Sequence, residues 1–181
     1  PVAISSGTIV LENNPSTGGN PSYSGTISGA GGGVNVTLAG VSTLFFTSTN
    51  SYTGATTITS GVLATTSSNA LGTSAGTGTS SVNVLSGGAL SINAGGLNNP
   101  NTITIAGTGL SATQNAALYI TGIAATLSNP ILVSADSRIY STVTTAFNGT
   151  INSSGGNFNL LMHNTTGNFT FGAAIGTPAA S

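Results

Sequence analysis

The sequence predicts an all-β chain, and three observations predict it. Short stretches alternate polar and apolar residues with period two, as a half-buried strand does. These stretches are bounded by Gly, Asn and Ser, and 27 of the 181 residues are glycine, so little room is left for strong helix formers. The stretches themselves are rich in Thr, Val and Ile, which suit a pleated surface.

The elements follow in order. Residues 1–12 include Val2, Ile4, Ile9, Val10 and Leu11 and read as a strand. Residues 13–22 hold two Pro and two Gly and read as a linker. Residues 23–181 read as a single β domain. Within it the alternation marks Val34–Leu38, Thr57–Thr59 with Val62-Leu63, and Ser81–Leu85 turning at Gly87-Gly88 into Ala89–Ile92. Further strands are expected at Thr102–Ile105, Leu118–Ile120, Pro130–Val133 and Phe158–Leu160.

Composition bounds the function. An average soluble chain is about 25% charged, whereas this one carries one Lys or Arg and two Asp or Glu. These are Glu12, Asp136 and Arg138. One Arg cannot neutralise a phosphate backbone, so a nucleic-acid partner is excluded. With no Cys there is neither a disulfide scaffold nor a Cys-ligated zinc site. No apolar run reaches the ~18 residues of a membrane-spanning helix. Disorder is disfavoured as well, because 38% of the residues are hydrophobic and high charge is missing. A net charge of −1 gives little colloidal repulsion and favours association.

Two segments match at an offset of 124 residues. Gly25-Thr26-Ile27 with Gly31-Gly32 corresponds to Gly149-Thr150-Ile151 with Gly155-Gly156. The match runs on from Val34 and Val36 to Phe158 and Leu160 and, after a one-residue shift, from Leu44 and Phe46 to Phe169 and Phe171. This makes 25–46 and 149–171 candidate related units, each needing neighbours to bury its faces.

The stretch from Ser42 to Gly72 carries a more specific pattern. It contains Asn50, Tyr52, Thr53 and Gly54, then Thr57, Ile58, Gly61 and Leu63, closing on Asn69-Ala70-Leu71-Gly72. This string resembles the autotransporter-associated β-strand repeat of bacterial surface and secreted proteins. The resemblance implies a parallel β-helix in surface display or adhesion, and it carries no catalytic residues with it. Physically, Gly54 and Gly61 can supply positive φ at turns, and the Tyr52 hydroxyl needs a partner. Stacked Asn and Thr can form ladders between levels ~4.8 Å apart.

The parallel β-helix is therefore the expected architecture, with roughly four to nine levels of 20–45 residues each. The alternative is an antiparallel β-sandwich, or jelly roll, completed by a neighbour's strand. Residues 1–11 on their linker suggest such a donor arm.

Candidate chemistry is sparse. Asp136 and Arg138 lie two apart, face one side of a strand and suggest a local ion pair. Glu12 is far from Asp136 in the chain, which argues against a glycosidase pair. His163 aligns with Ala39 in the 124-residue match, and no nucleophile elbow accompanies it. The reading is that the protein is not an enzyme and needs no cofactor or metal. Five sequons, at Asn35, Asn148, Asn152, Asn164 and Asn168, are candidate glycosylation sites.

The expected function is structural: a subunit or segment of an extracellular bacterial fibre or surface appendage. Copies would join head to tail by strand pairing, since uncharged sheet edges do not resist it. The alternative is an adhesin-type module for glycans, a host surface or ice, with Thr57, Thr59 and Thr104 on its face. A start at Pro1 without a charged leader suggests a processed product or part of a longer chain.

Overall fold

The computed structural model describes residues 1–3, 7–13, 20–30, 33–72, 81–98, 102–110 and 115–176. In chain order the strands are β1 (Val2–Ala3), β2 (Thr8–Asn13), β3 (Ser22–Tyr23), β4 (Ile27–Gly29), β5 (Gly33–Leu38) and β6 (Thr43–Phe46). Then come β7 (Ser51–Tyr52), β8 (Thr56–Thr65), β9 (Val82–Ile92), β10 (Gly96–Leu97), β11 (Ile103–Gly107) and β12 (Leu118–Ile120). The last six are β13 (Ala125–Leu127), β14 (Ile131–Ser141), β15 (Thr145–Phe147), β16 (Ile151–Ser153), β17 (Leu160–Asn164) and β18 (Phe169–Phe171). The described residues contain no helix.

The strands stack as a parallel β-solenoid of about six turns. Each turn visits three faces. Face one stacks β2, β5, the first halves of β8 and β9, β11, the first half of β14, and β16. Face two stacks β3, β6, the second halves of β8 and β9, β12, the second half of β14, and β17. Face three comprises β1, β4 and β7 at the start, and β10, β13, β15 and β18 towards the end. All of these pairings are parallel, so the solenoid is the observed architecture and the antiparallel sandwich is excluded.

Strict alternation explains the core. On face one Val34, Thr56, Val82, Ile103, Ile131 and Ile151 lie in register, with Val36, Ile58, Val84, Ile105 and Val133 two residues on. On face two Leu44, Leu63, Leu90, Leu118, Ile139 and Met162 form a third column. Apart from Met162, which is half-buried, every residue of these columns is buried. Burying one such aliphatic side chain contributes about 1.5–3 kcal/mol, and the columns join into one continuous core.

The corner between faces one and two explains the long strands. β8 and β9 bend there, and their register slips between Ile58 and Ser60. Gly61 takes φ +75° and stacks on Gly88. A Cβ on Gly61 would lie 2.4 Å from Leu38 Cβ, so glycine is required by space as well as by φ. The carbonyls that the corner turns away from the ladder find hydroxyls: Ser60 Oγ donates to Leu38 O at 2.7 Å, and Ser134 Oγ to Ile105 O at 3.1 Å.

Three expectations are revised. Gly87-Gly88 is no hairpin turn, because β9 runs through it as a corner strand. The N-terminal strand is no detached arm: β1 pairs with β4, and β2 pairs over its whole length with β5. It forms the first level of its own stack, while Ile4 and most of the 13–22 linker lie outside the described residues. The two segments related by 124 residues sit on different faces. Ile27 is on face three and Ile151 on face one; Phe46 is on face two and Phe171 on face three.

Candidate functional site

The repeat-like string builds an internal seam. Asn50 is fully buried, where an amide must be hydrogen-bonded on both ends. Its Oδ1 accepts from Ile27 N at 2.8 Å, and its Nδ2 donates to Ala70 O at 2.6 Å. One side chain thus ties the level before it to the level after it. Tyr52 is equally buried, and its hydroxyl meets Thr56 Oγ1 at 2.5 Å. Burial raises the Tyr52 hydroxyl above the ordinary tyrosine range, and the Thr56 bond only partly opposes this. Thr53 N donates to Gly29 O at 3.1 Å. Ile58 and Leu63 point inward, whereas Thr57 faces outward in register with Asn35 and Asn83. Gly61 has the expected positive φ; Gly54 does not. Asn50, Tyr52, Ile58, Gly61 and Leu63 of the string are thus buried in the stack, while Thr57 reaches the outer side of face one.

The two ends of the stack are a first candidate site. Among the described residues β2 pairs only with β5, β17 only with β14, and β18 only with β15. Val2 and Val10 are exposed at the first end, and Ile9 and Leu11 are half-buried against the core. Leu161, Phe171 and Ile175 are exposed at the other. The start presents a strand on every face, β2, β3 and β1; the finish presents β17 on face two and β18 on face three, while on face one β16 is followed by a single bridge from Ile175 to Ile151. Glu12 is the only formal charge in these terminal strands.

The outer side of face two is a second candidate. Phe45, Ala64, Ser91, Tyr119, Tyr140 and His163 lie in register along it. Tyr119 and Tyr140 rings are 5.1 Å apart, and His163 meets Tyr140 edge-on at 5.4 Å. Arg138 reaches His163, with Nη2 2.8 Å from Nδ1, and its guanidinium lies 5.6 Å from the Tyr140 ring centre. Because arginine stays protonated, it donates here and His163 Nδ1 accepts, which leaves the imidazole proton on Nε2. Asp136 is engaged elsewhere: its carboxylate accepts from Asn159 N at 2.8 Å and Asn159 Nδ2 at 3.2 Å. Those bonds lower its pKa. The expected Asp136–Arg138 pair is therefore replaced by two contacts to the following level. The aromatic ladder was invisible to the sequence reading, since residues 119, 140 and 163 become neighbours only through the coil register.

Glu12 lies on β2 at the first end, remote in the stack from Asp136 on β14. The described residues hold no group of three or more His, Cys, Asp or Glu able to bind a metal ion. No helix among them is long and apolar enough to cross a membrane. The sequon asparagines divide by exposure. Asn148 and Asn168 are exposed. Asn35, Asn152 and Asn164 are half-buried, and Asn164 Nδ2 is bound to Val143 O at 2.8 Å.

Comparison with known proteins returns no match, whether to protein-family models, to curated proteins or to solved structures. The fold and the geometry above are therefore the basis for function.

Proposed function

We propose that the chain is a structural module of an extracellular bacterial fibre or surface appendage, and that its copies join end to end by β-strand pairing. The observation that carries this is the matching of the two ends. Strands whose outer edges pair with nothing else among the described residues lie on faces two and three at both ends, while face one closes at the finish on the short Ile175 bridge, so an incoming copy can continue the ladders of faces two and three at ~4.8 Å spacing. Such a head-to-tail contact is heterologous and extends into a filament. The ends lack the Lys-rich protection by which natural sheets keep edges apart. The repeat-like string from Asn50 to Leu63 accords with a surface-displayed solenoid.

Electron microscopy and sedimentation of the purified chain at rising concentration test this. Filaments with strands across the axis are expected. Val10→Lys at one end or Leu161→Lys at the other should raise the concentration needed for filaments, whereas Thr104→Lys in the middle of face one should not. Monodisperse monomers at millimolar concentration would overturn the proposal, as would filaments indifferent to both end substitutions.

A further inference from the structure

The geometry points to a neutral-polysaccharide binding groove on the outer side of face two, independent of the assembly reading above. Phe45 and Tyr119 form its two walls. They stand three strand spacings apart in one register column, about 14 Å. Between them the column drops to Ala64 and Ser91, which make a floor of small side chains and a groove of about 350 Å³. Polar groups line its flanks, from Thr43 to Asn93 and Thr121.

The chemistry fits a sugar chain. Pyranose rings carry a polarised C–H face that packs on the negative face of an aromatic ring, and hydroxyls around the edge that need neutral donors and acceptors. The groove offers aromatic walls, a polar flank and no formal charge. The Tyr119 wall is fixed before any ligand arrives. Its hydroxyl accepts from Asn115 N at 3.0 Å and donates to Asn115 Oδ1 at 3.0 Å, and its ring packs on Tyr140 at 5.1 Å. Such preorganisation removes ordering cost from binding. Because its walls are stacked along the solenoid axis, the groove between them runs along the strands, so a linear polymer can lie in it parallel to β8 and β9 with its ring faces against Phe45 and Tyr119.

Affinity electrophoresis of the full chain tests this with hydroxyethylcellulose, xyloglucan, galactomannan and dextran, and with polygalacturonate as the anionic control. Retardation by at least one neutral polymer is expected. Tyr119→Ala, which removes a wall, and Ser91→Tyr, which fills the floor, should each weaken it at least tenfold. Thr104→Ala on face one should leave it unchanged. On the unaltered chain, the retarding polymer should shift the Ala64 and Ser91 amide resonances, which keeps the test decisive if a variant unfolds. The inference is overturned if no neutral polymer retards the chain, or if those two amides stay unshifted. It is also overturned if folded Tyr119→Ala and Ser91→Tyr bind unchanged, or if polygalacturonate alone binds, which would assign recognition to Arg138.

Discussion

Asn50 is the position where one substitution should reveal how the levels are held together. Asn50→Ala removes the acceptor for Ile27 N and the donor for Ala70 O. Both backbone groups would then be left without their partner inside the core. An unsatisfied buried polar group costs about 1–3 kcal/mol, so the pair amounts to about 2–6 kcal/mol, before any relaxation or water entry. That is a large share of the roughly 5–15 kcal/mol that holds a domain. Asn50→Asp sharpens the test. It keeps the acceptor for Ile27 N but sets a carboxylate against the Ala70 carbonyl. Protonated, the new side chain can donate to that carbonyl; ionised, it cannot. Its folded pKa should therefore lie above the unfolded value of about 3.9. Stability is then fully present below that value and is lost as pH rises through the folded pKa. Urea unfolding followed by circular dichroism, with hydrogen exchange at Ile27 N–H, gives the readout. The expected order is Asn50→Asp near pH 4 more stable than Asn50→Asp near pH 7, with Asn50→Ala well below the parent at both. An Asn50→Ala chain within about 0.5 kcal/mol of the parent would refute the reasoning, as would an Asn50→Asp chain insensitive to pH.

Other consequences follow from single contacts. Gly61→Ala should destabilise by more than the ~1 kcal/mol of a glycine replaced at positive φ, because the new Cβ strikes Leu38; Gly40→Ala, with φ +59° and open space, should cost only the backbone part, as thermal melts will show. Leu90→Ala, fully buried in the middle of the face-two column, should cost about 2–5 kcal/mol in urea unfolding. Tyr52 has a raised folded pKa, so its contribution is present below the unfolded value of about 10 and lost as pH rises beyond it; Tyr52→Phe should remove that part of the alkaline loss. Asp136 has a lowered pKa, so its contribution is present above the unfolded value and lost as pH falls through the folded one. The protection of Asn159 N–H, its exchange rate measured against the intrinsic rate at the same pH, should fall on acidification in the parent, and Asp136→Asn should flatten that dependence.

Much of the fold was legible because each strand signals itself locally. Val34–Leu38 and Leu118–Ile120 alternate so cleanly that only the partner and the direction of pairing were open. The solenoid came from the string around Asn50 and Tyr52, whose residues do work together inside the stack. What failed were inferences about distance along the chain. Face-one positions in register run Ile9, Val34, Thr56, Val82, Ile103, Ile131, Ile151 and Ile175, so turns differ in length. Loops of unequal length hide any fixed period. The 124-residue match therefore relates segments displaced by one face. For the same reason Tyr119, Tyr140 and His163 looked unrelated, and Arg138 was assigned to its sequence neighbour Asp136 rather than to the following level.

Scarcity of charge follows from this register. The outward column of face one reads Val10, Asn35, Thr57, Asn83, Thr104, Leu132 and Asn152. Parallel in-register stacking puts each of these ~4.8 Å from the next. Two like charges at that spacing repel by about 0.9 kcal/mol in bulk water and about 3.5 kcal/mol at the effective dielectric of a protein surface. A solenoid that carried charges at ordinary frequency would often place like charges in one column. Asn and Thr escape that cost and can bond to their neighbours, as Thr59 Oγ1 does to Asn35 Oδ1 at 2.9 Å. Of the three charges present, Glu12 pairs in register with Thr37 and Arg138 with Leu161, so neither meets a like charge. The same rule governs any further copy at an end, because its strands would extend the same columns. Lysine substitution at an end therefore gives a graded test. On face two Ser22 of β3 and His163 of β17 end the same outward column. Ser22→Lys alone weakens joining by desolvating one charge; Ser22→Lys combined with His163→Lys puts a cation on both sides of the face-two junction and should weaken joining by more than the two single effects together, with added salt recovering the excess. Strict additivity of the two substitutions would show that the copies do not meet in this register.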